Sequence, residues 1–192
     1  MNRLGTETAF EVLAKARMLE ADGKDIIHLE IGEPDFDTPH NIVEAGKQAL
    51  EAGHTHYGPS PGLPEVRDRI AQEVSETRDI KVTKEMVVIT PGAKPIMFFT
   101  MLALINEGDE VLYPNPGFPI YESMINFVGG IPVPMKLLAS QNFGVNVKEV
   151  ESQITPKTKL MILNSPNNPC GSIIEPEQIE ELANLARGKG IM

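Results

Sequence analysis

A chain of 192 residues is long enough to bury a core as one or two domains. Its 41% hydrophobic and 23% charged content is that of an ordinary globular protein. With 27 acidic against 17 basic residues and a net charge of −10, it lacks the cations needed to bind nucleic acid or an anionic membrane surface, although local basic groups remain available to a small phosphorylated ligand.

Thr8-Ala9-Phe10-Glu11 has capping-box spacing and predicts an amphipathic helix to about Ala21, ended by Asp22-Gly23-Lys24. Asp25 to Ile31 reads as a short strand into the turn Gly32-Glu33-Pro34-Asp35. Thr38-Pro39 supplies an N-cap and a first-position proline for a helix ending near Gly53. After the loop His54–Gly62, the stretch Leu63–Arg78 is helical. From Met86 onward strands and helices alternate. Strands are expected at Met86–Thr90, Glu110–Tyr113, Ile131–Lys136 and Lys159–Asn164, and helices at Lys94–Ile105, Phe118–Phe127, Val147–Gln153 and Pro176–Lys189. That rhythm predicts an α/β fold with a mainly parallel sheet covered by helices. The chain stops at Gly190-Ile191-Met192, just as a new apolar strand begins. Because parallel sheets are covered and complete, the expectation is a fragment truncated in mid-domain.

No apolar run is long enough to span a membrane, and Met1-Asn2-Arg3-Leu4-Gly5 has no secretory apolar core. The single cysteine, Cys170, cannot form an internal disulfide and fits a reducing compartment, so the expected location is cytoplasmic. His28, His40, His54 and His56 have no metal-ligand spacing, and no metal site is expected.

Four stretches are candidates for chemistry. The turn Asn164-Ser165-Pro166-Asn167-Asn168-Pro169-Cys170-Gly171 follows an apolar run, at the strand end where α/β proteins bind ligands. Its two prolines restrict the backbone around two amides, which suits either a plain surface turn or a fixed hydrogen-bonding wall. Pro91-Gly92-Ala93-Lys94-Pro95 joins a strand to a helix. Its small residues admit an anion to the helix N-terminus and Lys94 adds charge, yet an ordinary strand–helix turn has the same composition. In Tyr113-Pro114-Asn115-Pro116-Gly117-Phe118, the phenylalanine either stacks on a planar ligand or belongs to the core. Tyr57, in a loop of turn formers, either donates to a phosphate or packs over its loop.

In order, Gly32-Glu33-Pro34-Asp35-Phe36, His56-Tyr57-Gly58-Pro59-Ser60-Pro61-Gly62-Leu63-Pro64-Glu65, Pro91-Gly92-Ala93-Lys94, Gly108-Asp109-Glu110-Val111 and Asn164–Gly171 resemble the class I aminotransferases. These are pyridoxal-phosphate-dependent enzymes of fold type I, a three-layer sandwich. The resemblance runs from Gly5-Thr6-Glu7-Thr8 to the end of the chain. It implies that Gly92, Ala93 and Lys94 cradle the phosphate of pyridoxal 5'-phosphate, that Phe118 stacks on its ring, and that Asn168 bonds its phenolic oxygen and helps orient the substrate carboxylate. Tyr57 matches a tyrosine reaching the phosphate in the neighbouring subunit, which implies a homodimer. Gly32 matches a glycine whose backbone lies near the substrate carboxylate.

The implied layout is an N-terminal arm and part of a small domain over residues 1–45, then the first part of the large cofactor-binding domain over 46–192. The implied reaction moves an amino group between an amino acid and a 2-oxo acid. It needs a lysine that tethers the cofactor as a Schiff base and then shuttles the proton. None of the eleven lysines lies in a matching context, so no catalytic residue is assigned and the chain alone is expected to be inactive. Cys170 replaces the threonine usual in this turn. A carbon–sulfur lyase or cyclopropane-forming synthase of the same frame, and a non-catalytic ligand-binding module, are the competing readings.

Overall fold

A computed structural model describes residues 8–192, and the chain divides into two compact units meeting at Ala93/Lys94. The Thr8 side chain and residues 1–7 lie outside that description, and with them the Thr8–Glu11 capping box and the Gly5-Thr6-Glu7 part of the resemblance.

In the unit beginning at Lys94, helix α4 (Ala93–Leu104) leads to strand β1 (Glu110–Asn115), α5 (Ile120–Phe127), β2 (Ile131–Lys136), α6 (Val147–Gln153), β3 (Thr158–Met161) and α7 (Pro176–Lys189). The strands form a parallel sheet in the order β2-β1-β3, with Leu112 opposite Val133 on one side and Met161 on the other. Side chains alternate across a strand, so β1 feeds two cores. Val111 and Tyr113 pack with Met101 of α4 and with Tyr121, Met124 and Ile125 of α5. Leu112 packs on the other face with Met135, Val150 of α6 and Leu182 of α7. Helices thus cover both faces, the three-layer arrangement expected of a buried parallel sheet.

Local chemistry sets the element ends. Glu175 caps α7 through a reciprocal capping box with Gln178, Pro176 occupies its first turn, and Gly190 ends it at φ 68°. Asn146 caps α6 by accepting the Glu149 N–H. Pro119, one residue beyond Phe118, takes the N-cap position of α5, so this helix starts two residues later than predicted. β3 ends three residues early because its pairing with β1 closes with the Ile162 N–H donating to the Leu112 carbonyl. The Met192 N–H donates to the Lys159 carbonyl and the Met161 N–H to the Met192 carbonyl, an alternation typical of parallel pairing.

The unit Ala9–Ala93 holds most of α1 (Thr8–Ala21), α2 (His40–Glu51), α3 (Pro64–Arg78) and a short 3-10 turn at Lys84–Met86. Pro39, predicted as the first helical residue after a Thr38 cap, is itself the N-cap of α2, so this helix starts one residue later than predicted. Neither Asp25–Ile31 nor Met86–Thr90 forms a strand. Apolar, β-branched residues give β propensity, but a strand needs a hydrogen-bonded neighbour. Ile27 and Leu29 remain exposed, and Val87–Thr90 is extended at Val87 but bonds through Ile89 to the turn carbonyl of Pro61.

The unpaired segment near His28 is held by side chains. One imidazole nitrogen lies 2.6 Å from Glu30 and the other 2.9 Å from Glu20, at the end of α1. Hydrogen bonding to Glu30, then to Glu20, raises the His28 pKa, and its bond to His28 lowers that of Glu30. The histidine contribution is full below its unfolded value of about 6.5 and is lost as pH rises through the raised folded value. The Glu30 contribution is present above its unfolded value of about 4.3 and is lost as pH falls through the lowered folded value. The clip therefore stabilises most between about pH 4.3 and 6.5. His28→Gln is expected to lower the urea midpoint at about pH 5.5 and to leave it unchanged at about pH 9. An equal gap at both pH values would rule the clip out.

Candidate functional site

The carboxyl ends of β1 and β3, neighbours in the sheet, carry two of the residues singled out from sequence. Beyond β1 the chain turns sharply through Pro114–Phe118. A side chain at Gly117 would run into the Pro114 carbonyl, so glycine is required by close approach. Phe118 is half-buried against the α4–α5 core and meets Tyr121 edge-on at 6.0 Å. The phenylalanine thus packs on the core while staying half-buried. Beneath it, the Tyr113 hydroxyl donates to Glu122 Oε2 at 2.9 Å and fastens α5 to the end of β1. Burial, then this bond, pushes the Tyr113 hydroxyl well above its usual pKa, so it acts as a neutral donor.

The turn after β3 is built from its own amides. Asn164 Oδ1 accepts the Asn168 N–H at 2.8 Å, and Ser165 Oγ accepts the Ile174 N–H. Asn167 is only 5% exposed. Its Oδ1 accepts from Cys170 N–H, its own N–H donates to Ser172 O, and its carbonyl accepts from Gly171 N–H. Asn168 differs: its main chain is held, while its exposed side chain has no partner among the described residues. The peptide bonds Ser165–Pro166 and Asn168–Pro169 are cis, as is Asn115–Pro116. Asn164 and Asn167 are the contributors that pattern reading missed as individuals. Their signal was the density of amides in a turn that must satisfy its own buried backbone.

In the other unit, Gly92 has φ +90° and nothing within 4 Å of where a Cβ would stand. Its N–H donates to Thr90 O at 2.9 Å, and Thr90 Oγ1 donates to Gly92 O at 2.6 Å. Gly92 thus shapes the turn rather than offering its own amide. Helix α4 starts at the next residue, Ala93, and a first helical turn presents N–H groups without intrahelical acceptors. Lys94 is exposed at that start. Tyr57 is fully exposed in its loop. Gly32 is exposed too, has no positive φ and has open space at its Cβ position, so within this chain no steric demand explains the glycine. Phe118 and Asn168 therefore share one sheet edge, while Gly32, Tyr57, Gly92 and Ala93 belong to the separate unit ending at Ala93.

Among the described residues no helix is long and apolar enough to cross a membrane, and no group of three or more His, Cys, Asp or Glu is arranged to hold a metal ion. Residues 24–192 match the family model described as Aminotransferase class I and II. The probable aspartate/prephenate aminotransferase of Aquifex aeolicus is 38% identical over 191 residues, which cover 100% of this chain and 48% of that protein. The solved aspartate aminotransferase from Thermus thermophilus with maleate superposes with TM-score 0.93 at 36% identity, over 100% of this chain and 51% of the other. For the alanine aminotransferase from Pyrococcus furiosus the TM-score is 0.91 at 32% identity, over 97% and 48%. The chain spans about half the length of the curated relatives it matches.

Proposed function

The chain belongs to the class I and II aminotransferase family, and from that premise we propose that it binds pyridoxal 5'-phosphate and serves amino-group transfer between an amino acid and a 2-oxo acid. The observation that carries the reading is Asn168, whose main chain is anchored by Asn164 while its side chain is left unpartnered at the carboxyl edge of the sheet.

The residues present fit the cofactor chemically. Gly92 leaves open space where any other residue would place a Cβ, and the start of α4 suits a phosphate dianion. Ala93 and Lys94 hold the phosphate there, Lys94 through its charge. Phe118 offers an exposed part of its ring for stacking, with its other side anchored in the core. Asn168 Nδ2 donates to the phenolic oxygen, and the same residue helps orient the substrate carboxylate with the backbone of Gly32. Tyr57 donates its hydroxyl to the phosphate bound by a second copy, making the working assembly a homodimer. When bound, pyridoxal phosphate supplies an electron sink for removal of the amino acid's α-proton. None of the eleven lysines here is assigned as the tether and base. Aspartate and alanine both occur in the names of similar proteins, so the amino donor stays general. The lone cysteine fits work in the reducing cytoplasm.

The test is titration with stoichiometric pyridoxal phosphate, borohydride reduction and intact-mass measurement. The expected result is saturable binding with no retained mass on reduction and no transamination by the chain alone. A reduced adduct on one lysine of this chain overturns the lysine assignment, and absence of binding overturns the cofactor reading.

A further inference from the structure

We propose that Arg67 is a positioning residue that sets the phosphate-binding turn Pro91–Ala93 by gripping the main chain that leads into it. The proposal rests on the reading of Gly92, Ala93 and Lys94 as the cofactor phosphate cradle.

The segment Val87–Thr90 runs into that turn without a sheet partner among the described strands, so its carbonyls and amides must be satisfied elsewhere. Arg67, in the first turn of α3, supplies two of the three bonds that residues 61–67 make to the stretch Lys84–Ile89. Its Nε–H donates to the Val87 carbonyl at 2.8 Å and its Nη2 to the Lys84 carbonyl at 2.5 Å. Only a planar fork of donors spans two carbonyls three residues apart, and a lysine ammonium at the end of a flexible stem is a single point. The third bond comes from the turn just before α3, where the Ile89 N–H donates to Pro61 O at 2.9 Å. At Gly62, with φ +102°, an added Cβ would stand 2.8 Å from Ile89 Cδ1, so this glycine is what lets the turn lie against Ile89.

From Lys84 to Ile89 the chain is thereby fixed by residues 61–67, and three residues after Ile89 comes Gly92 with its internal bonds to Thr90. A helix N-terminus binds phosphate through donors that must converge, so a shift of the entering chain weakens phosphate capture. The anchoring stretch directly follows the loop bearing Tyr57. Both Arg67 hydrogen bonds go to main-chain carbonyls, so the role proposed for it runs through the backbone.

The experiment compares pyridoxal phosphate with pyridoxal, which lacks the phosphate, for the 192-residue chain and its Arg67→Lys, Arg67→Ala and Gly62→Ala variants. Dissociation constants come from absorbance titration, with folding checked by circular dichroism. The wild type is expected to prefer the phosphorylated ligand. Each variant that folds is expected to lose roughly tenfold of that preference, about the worth of one charge-assisted hydrogen bond, while pyridoxal affinity holds. Arg67→Lys keeps the charge and Gly62→Ala keeps the arginine, so loss in either case traces to backbone placement. If the folded variants lower the melting temperature but keep the wild-type preference, Arg67 is merely structural and the inference is overturned. A wild type that binds both ligands equally overturns the cradle reading itself, and this inference with it.

Discussion

Replacing Leu112 by alanine is expected to lower the unfolding free energy by about 2–5 kcal/mol, read as a fall in urea midpoint at unchanged slope. Leu112 is 0% exposed at the middle of β1, the central strand of the sheet. The backbone around it is bonded to β2 on one side and β3 on the other, so the site cannot collapse onto the space left by the lost methyl groups. Its neighbours Met135, Val150, Ile174 and Leu182 come from four separate segments, each held by its own contacts. Ile125→Ala, on the opposite face and equally buried, is expected to cost a similar amount. The two residues belong to clusters with no buried residue in common, so the double mutant should show the sum of the single costs within about 0.5 kcal/mol. Strong coupling between them would contradict two cores separated by a sheet. Ile131→Ala, at the start of β2 and 42% exposed, provides the small-effect control.

The same sheet explains which parts of the fold sequence could disclose. In the stretch from Glu110 to Lys189, β2, α6 and α7 fall at the predicted residues, and α5 within two positions, as does α4 just before it. Period, proline placement and C-terminal glycine are local signals, and here tertiary packing agrees with them. Asp25–Ile31 and Met86–Thr90 carry an equally local β signal but find no partner strand among the described residues. Pairing depends on what lies alongside, which no short window of sequence contains. The grip of Arg67 on Val87, twenty positions away, was invisible for the same reason.

Site chemistry divides along a similar line. The amide-rich turn was recognisable from composition, but composition treats Asn164, Asn167 and Asn168 alike. Geometry gives them different work: Asn164 and Asn167 spend their side-chain oxygens on backbone N–H groups, and Asn168 keeps its side chain outward. Gly117 and Gly92 likewise look equivalent in sequence. One is required by the approach of the Pro114 carbonyl and the other by a positive φ beside open space.

This division of labour makes Asn168→Ala the sharpest functional test. A hydrogen bond to a charged partner is worth about 1.5–3 kcal/mol, so if Asn168 is the donor proposed for the phenolic oxygen, removing it should weaken pyridoxal phosphate binding by roughly 10- to 150-fold. Stability should change by less than about 0.5 kcal/mol, because the lost side chain is exposed and bonded to none of the described residues. Asn167→Ala should behave in the opposite way. It removes the acceptor for the Cys170 N–H from a buried turn and is expected to cost about 1–2 kcal/mol of stability. Phe118→Leu, which retains an apolar side chain against the core but removes the aromatic face, should cost only about 0.5–1.5 kcal/mol of cofactor affinity. Fluorescence titration with the cofactor, paired with urea unfolding of each variant, separates these effects. Wild-type affinity in Asn168→Ala would remove this residue from the pocket, because its stability leaves no folding defect to hide behind. The turn would then be surface punctuation, with its amides explained by Asn164 and Asn167 alone.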